Sequence, residues 1–167
     1  AIREGVSKRT LYNHHPSKEE LFRSLVSEMS QRIVLSATFS YSPTVPLETQ
    51  LLQFVGEARR LISKVQTLRL ARAVLAEHIR HPERVEPILQ NYWRNEYGFV
   101  SWAESACADG RMHGDAIRIG HAMSSIMRAQ IFWPTLLGRD THAPEFDRDI
   151  AEAVAMFLNY YGRERAT

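Results

Sequence analysis

From Phe22 to Tyr161 apolar residues recur three and four positions apart, and no segment alternates apolar with polar over the length of a strand. A spacing of three and four lines side chains along one stripe of a helix, whereas a half-buried strand needs period two. The chain is therefore expected to fold as stacked helices. Phe22, Leu25, Val26, Met29 and Ile33 carry one stripe to about Thr38, and Ser40 to Pro46, with two prolines and three Ser or Thr, reads as a loop. Leu51, Phe54, Val55, Ala58, Leu61 and Ile62 mark a helix from about Leu47 to Ser63. Leu68, Ala71, Val74, Leu75, His78 and Ile79 mark the next, closed before Pro82. Pro82 suits the first turn of a long helix, lined by Val85, Ile88, Leu89, Tyr92, Trp93, Phe99, Val100, Ala103 and Cys107 and ended by Asp109-Gly110. Asp115 is an N-cap for the stripe Ile119, Ala122, Met123, Ile126, Met127 and Phe132, and Pro134 is expected to stop that helix. The last helix runs from Pro144 to about Tyr161, with Ile150, Val154, Phe157, Leu158 and Tyr161 inward. The fold class is all-α, with six or seven helices.

Ahead of these stripes lies Gly-Val-Ser-Lys-Arg-Thr-Leu-Tyr-Asn-His-His-Pro-Ser-Lys, from Gly5 to Lys18. Gly5 can end one helix at positive φ, Ser7 can cap the next, and Pro16 bars it from continuing. That is a helix, a tight turn and a second, very short helix. Leu11 is its only strongly apolar interior residue, so Lys8, Arg9, Thr10, Tyr12, Asn13 and His14 are left to face outward. Between Gly5 and Lys18 there are three Lys or Arg and no Asp or Glu, and the whole formal net charge of +2 sits within the first 23 residues. Cationic and hydroxyl groups on a short exposed helix suit phosphate oxygens and base edges. The same composition also fits a solvated polar helix. Ser17-Lys18-Glu19-Glu20 then forms a capping box that starts the helix carrying Phe22.

The string from Gly5 to Leu21 resembles the DNA-binding segment of the TetR family of bacterial transcription regulators, Gly-Val-Ser-Lys-x-Thr-Leu-Tyr-x-His-Phe-x-Ser-Lys-Glu-x-Leu. His15 departs from it, standing where the family usually places Phe. The resemblance implies a two-fold-related DNA site with the Ser7 to Asn13 helix in a major groove. Lys8 and Arg9 are then expected at base edges, Thr10 and Tyr12 between bases and phosphates, and Asn13, His14 and Lys18 mainly on the backbone. It also implies a first helix and most of a second before Ala1, so residues 1–38 are expected to be the remnant of a helix-turn-helix domain with its linking helix.

Residues 39–167 are expected to form a helical ligand-binding and dimerisation domain. They resemble the AefR-like subgroup through Arg69-Leu70-Ala71-Arg72, His81-Pro82-Glu83, Asp109-Gly110-Arg111, and Ala153-Val154-Ala155-Met156-Phe157-Leu158 with Tyr161. The family implies a dimer through the last two long helices, Asp115 to Trp133 and Pro144 to Tyr161, and an effector pocket among the earlier ones. Aromatic rings and flexible thioethers suit varied apolar ligands, which makes Trp93, Tyr97, Met123 and Met127 candidates for lining it. Arg69, Arg72 or His78 would supply a polar contact. Plain core packing is the alternative for each of them.

Length and chemistry bound the rest. At 167 residues with 44% apolar content, the chain can bury a core. A single cysteine, Cys107, allows no internal disulfide and suits a reducing cytoplasm. No apolar run is long enough to span a bilayer. His78 and His81 stand three apart, but no further ligand at convincing spacing joins them, so no metal is expected. Cys107 has no activating base nearby in sequence, Glu96 and Glu104 lack marked partners, and there is no phosphate-cradling glycine loop. No cofactor is expected. The reading is a dimeric DNA-binding regulator, and not an enzyme, that releases its operator when a small apolar or aromatic effector fills the body. The alternatives are a helical ligand-binding protein without DNA activity and, less favoured, a helical-bundle enzyme.

Overall fold

The computed structural model describes residues 15, 17, 20–27, 40–83, 85–86 and 97–163. Ser17 caps the first described helix, its hydroxyl accepting the Glu20 N–H at 3.0 Å and its carbonyl the Leu21 N–H at 3.1 Å. That helix, α1, is described over residues 20–27. After the loop come α2 (Leu47–Ile62) and α3 (Val65–Arg80), joined by a turn at Ser63 and Lys64. Residues 82, 83, 85 and 86 are helical, so Pro82 does stand at a helix start. Then follow α4 (Tyr97–Ala108), α5 (Ala116–Met127), a π-helical segment Arg128–Phe132, α6 (Trp133–Leu136) and α7 (Pro144–Tyr161). Asp115 caps α5 by accepting the Arg118 N–H at 2.8 Å. Among the described residues there is no strand, only an isolated antiparallel bridge between Met112 and Gly162.

One main core unites α2, α4, α5 and α7. Leu51, Phe54 and Val55 meet Phe99, Trp102 and Ala103, and these meet Ile119, Met123, Ile131, Ile150, Val154 and Phe157. The Phe54 and Phe99 rings lie 4.1 Å apart between centroids. The stripes read from sequence supply most of it, and Phe146, 3% exposed, joins the buried set from the first turn of α7. Helices α4 and α5 come close because Gly120 carries no side chain. A Cβ there would stand 2.7 Å from Val100 Cγ2 and 3.0 Å from its backbone nitrogen.

Two smaller clusters make α3 a wedge. On one flank Val74 packs with Val26 of α1 and with Val85, joined by Phe22 and Leu70. On another, Ala71 packs with Leu136, joined by Leu68, Leu70, Leu75 and Phe132. Ile79 does not continue this inward stripe: it is 73% exposed, because α3 buries the arc through Ala71, Val74 and Leu75 and Ile79 falls beyond its edge.

Pro134 does not stop its helix. The chain stays helical from Ala116 to Leu136, and a π turn accommodates the proline. Trp133 N–H bonds the Arg128 carbonyl, five residues back, so the backbone is already widened where the missing Pro134 N–H and the bulk of its ring would strain an α-helix. The stop is Gly138 at φ +88. Gly138 N–H reaches Thr135 C=O at 3.1 Å and Arg139 N–H reaches Pro134 C=O at 2.9 Å, the paired bonds of a glycine-ended helix. Gly110, at φ +70, ends α4 in the same way, with bonds to Cys107 and Ala106 of 2.9 and 3.0 Å.

Candidate functional site

The residues read as a DNA reader, Ser7, Lys8, Arg9, Thr10, Tyr12, Asn13, His14 and Lys18, lie outside the described residues, as do Trp93 and the side chain of Tyr97. What the structure does describe is how α1, the helix just after the reader, is seated. Val26 of α1 is 1% exposed against Val74 and Val85, so α1 rests on α3 and the start of the following helix. His15 Nδ1 lies 3.4 Å from Ser24 Oγ, a weak polar contact along α1.

The five described candidates for the effector site fall into three groups. Met123 and Met127, 1% and 8% exposed, are packed in the main core. Arg69 and Arg72 are on the outward side of α3, where Arg72 Nε–H donates to the Leu136 carbonyl at 3.1 Å. That bond satisfies a carbonyl at the carboxyl end of α6 and ties it to α3. His78 is half-buried on the inward side of α3, with its Nδ1 enclosed and lacking a hydrogen-bond partner. His81 pairs instead with Glu83 at 3.7 Å. Among the described residues no three His, Cys, Asp or Glu side chains gather to hold a metal.

A polar network fastens the loop after α1 to the body. Gln50, 3% exposed, donates through Nε2 to the Ser42 and Val45 carbonyls at 2.8 Å each, and its Oε1 accepts from Ser42 N–H at 3.0 Å and Trp102 Nε1–H at 3.1 Å. Tyr41 O–H donates to Asp109, and Arg111 Nη1 donates to the Ser42 and Pro43 carbonyls at 3.1 and 3.2 Å. Burial and the bond to Asp109 push the Tyr41 phenol up from its ordinary value. Trp102, Asp109 and Arg111 lie dozens of residues from Gln50, Tyr41 and Ser42, so no local pattern reveals those bonds. The available signal was an amide on the apolar stripe Leu47, Gln50, Leu51, Phe54.

Across the body, Arg59 Nη1 donates to Asp147 at 2.6 Å and to the Thr141 carbonyl at 2.9 Å, holding the α6–α7 loop. Burial pushes the Cys107 thiol up, the opposite of what an activated nucleophile needs, and its Sγ lies 3.8 Å from the Gly114 carbonyl. Among the described residues no helix is long and apolar enough to cross a membrane.

Residues 49–163 match the family model of the AefR-like transcriptional repressor C-terminal domain. The structure is similar to a TetR family transcriptional regulator from Pseudomonas syringae pv. tomato str. DC3000, at 35% identity and a TM-score of 0.76, over 98% of this chain and 84% of that one. A protein assigned to the TetR family of transcriptional regulators in Mesorhizobium loti MAFF303099 shares the fold at 23% identity, a TM-score of 0.75 and the same coverage. Salmonella enterica GusR shares it at 20% identity and 0.69, over 92% of this chain and 79% of that one. No curated protein matches the sequence.

Proposed function

This chain belongs to the TetR family of transcription regulators, with an AefR-like carboxy-terminal domain, and from that premise we propose that it is a repressor released from a two-fold-related operator by a small-molecule effector. The family match over residues 49–163, standing behind the Gly5–Leu21 string, carries the reading. In this reading residues 1–38 belong to the DNA-binding domain and 39–167 to the ligand-binding and dimerisation domain. Arg9 and Lys8 read base edges, while Ser7, Thr10, Tyr12, Asn13, His14 and Lys18 share in positioning the helix on the duplex. Selection of full-length protein from random duplexes at moderate salt tests it, and no preference for any sequence rejects it. With an operator in hand, Lys18→Ala weakens operator and random DNA alike and flattens the salt dependence by roughly one unit of slope. Arg9→Ala costs about 1–3 kcal/mol on the operator and less on random DNA.

The effector is proposed to occupy a cavity lined by the helix that begins at Pro82 and by α5, with Trp93 and the Tyr97 ring, both outside the described residues, as aromatic candidates. Met123 and Met127 would join by side-chain rearrangement, since thioethers repack readily. Of the three polar candidates, His78 is on the inward side of α3, while Arg69 is exposed and Arg72 is engaged with the Leu136 carbonyl, which fits a supporting role. A thermal-shift screen of small apolar and aromatic compounds, each hit scored for release of operator DNA, tests this. Hits that stabilise the protein without releasing DNA favour a ligand-binding protein of another kind.

Dimerisation through α5 to α6 and α7 completes the proposal. Ile117, Met156 and Tyr160 are 55%, 72% and 70% exposed on helices that also supply the core. The start of α5 and the end of α7 are brought to one end of the body by the bond from His113 N–H to the Tyr161 carbonyl, 2.9 Å. A two-fold contact between copies would cover them.

A further inference from the structure

Two buried side-chain polar atoms among the described residues lack a hydrogen-bond partner, Ser63 Oγ and His78 Nδ1. Ser63 sits at the α2–α3 corner beside exposed Lys64 and Val65. His78 is placed differently. It follows Val74 by four residues and Leu75 by three, so it extends the stripe that packs on Val26 and Val85 on one flank and on Leu136 and Phe132 on the other. Its neighbours along that stripe, Ala71, Val74 and Leu75, are apolar. The enclosed Nδ1 has no hydrogen-bond partner.

An enclosed nitrogen without a partner weakens a fold, and natural structures keep few of them. Leucine or phenylalanine would fill the same place on an apolar stripe without that penalty. We infer that His78 Nδ1 is the hydrogen-bonding anchor for the effector, and that the effector carries a hydroxyl on a compact apolar body, as a phenol does. In the tautomer that this inference assigns, the ring proton is on Nε2 and Nδ1 is an acceptor. It therefore selects a molecule that donates, and rejects the same body with the hydroxyl removed or methylated, because such a ligand would leave the nitrogen both buried and unpaired. This inference rests on the effector reading above and specifies the chemistry of the ligand.

Phenol, anisole and toluene separate the possibilities, because they share a ring and differ in donating ability. Each is titrated by calorimetry into full-length wild type, His78→Leu and His78→Phe, and all three proteins are melted without ligand. Wild type is expected to bind phenol roughly tenfold more tightly than anisole or toluene. Both variants are expected to lose that preference and to melt several degrees above wild type, because the unpaired nitrogen is gone. Equal wild-type affinity for the three compounds overturns the anchor while leaving an apolar pocket in place. Binding of none of them overturns the hydroxyl class and leaves the effector reading to the open screen. Variants that melt lower, or that both fail to fold, mark the imidazole as structural and end the inference.

Discussion

The Gln50 amide ties the Ser40–Pro46 loop to the main core from within, alongside the outer bonds of Tyr41 and Arg111. Gln50 uses Oε1 twice and Nε2 twice, on Ser42, Val45 and Trp102, so both ends of its buried side chain are satisfied. Gln50→Ala removes the amide acceptor of the Trp102 Nε1–H and the partners of the loop's backbone groups together. Each buried orphan costs about 1–3 kcal/mol, and we expect a total loss of about 2–4 kcal/mol in urea denaturation, after partial relaxation of the loop. A loss below half a kilocalorie would mean that the loop re-forms its bonds with solvent. Glycines make a second contrast at single positions. Gly120→Ala forces a Cβ against Val100 and its backbone, which overpacking data put at about 1–3 kcal/mol of destabilisation. Gly56, inside α2 with no atom within 4 Å of an added Cβ, should gain about 0.5–1 kcal/mol as alanine. Thermal melts of the pair check both signs, and the sequence alone gives no reason to treat the two glycines differently.

Among the elements, the run from Ala116 to Leu136 departs furthest from local expectation. A proline inside a helix lacks an N–H and crowds the preceding turn, which ordinarily ends the helix or kinks it. Here the strain is taken up by the π segment Arg128–Phe132, and Thr135 Oγ1–H returns to the Ile131 carbonyl at 2.6 Å, satisfying an acceptor close to the disturbance. The widened turn also lets neighbouring residues serve different clusters: Ile131 enters the main core, and Phe132 reaches across to Ala71 and Leu75 of α3. If the proline sets this register, Pro134→Ala should return the segment to α geometry, with Trp133 N–H bonded to the carbonyl four residues back. A crystal structure of the variant decides the matter. Retention of the bond to Arg128 would show that the packing of Phe132 and Thr135 holds the π turn instead. The stop at Gly138 is local chemistry of a kind the sequence already displays at Gly110, and Pro134 drew attention away from it.

For the whole molecule, the proposed dimer makes the sharpest demand. Light scattering should report twice the 19.2 kDa chain mass at micromolar concentration, and Met156→Glu combined with Tyr160→Glu should give a folded monomer. Phe157 is a poor place for that test. At 4% exposure it belongs to the monomer's own core, so a charge there is expected to unfold the chain rather than divide the dimer. A single-chain mass for wild type would remove the interface. The helical class, the order of elements, the bounds of α2 and α7 and the caps at Ser17, Asp115 and Gly110 were legible in the residues, because stripes, caps and glycine stops are written within a turn or two of where they act. So was the family, through the Gly5–Leu21 string. The exposure of Ile79, the π turn under Pro134, the burial of Gln50 and the enclosed nitrogen of His78 were not. Each depends on atoms brought close from distant parts of the chain: Leu136 and Phe132 against α3, Trp102 beside Gln50, Val26 beside Val74. Periodicity states which face of a helix is apolar, and the packing of helices against one another decides how wide that face is and which polar group ends up inside it.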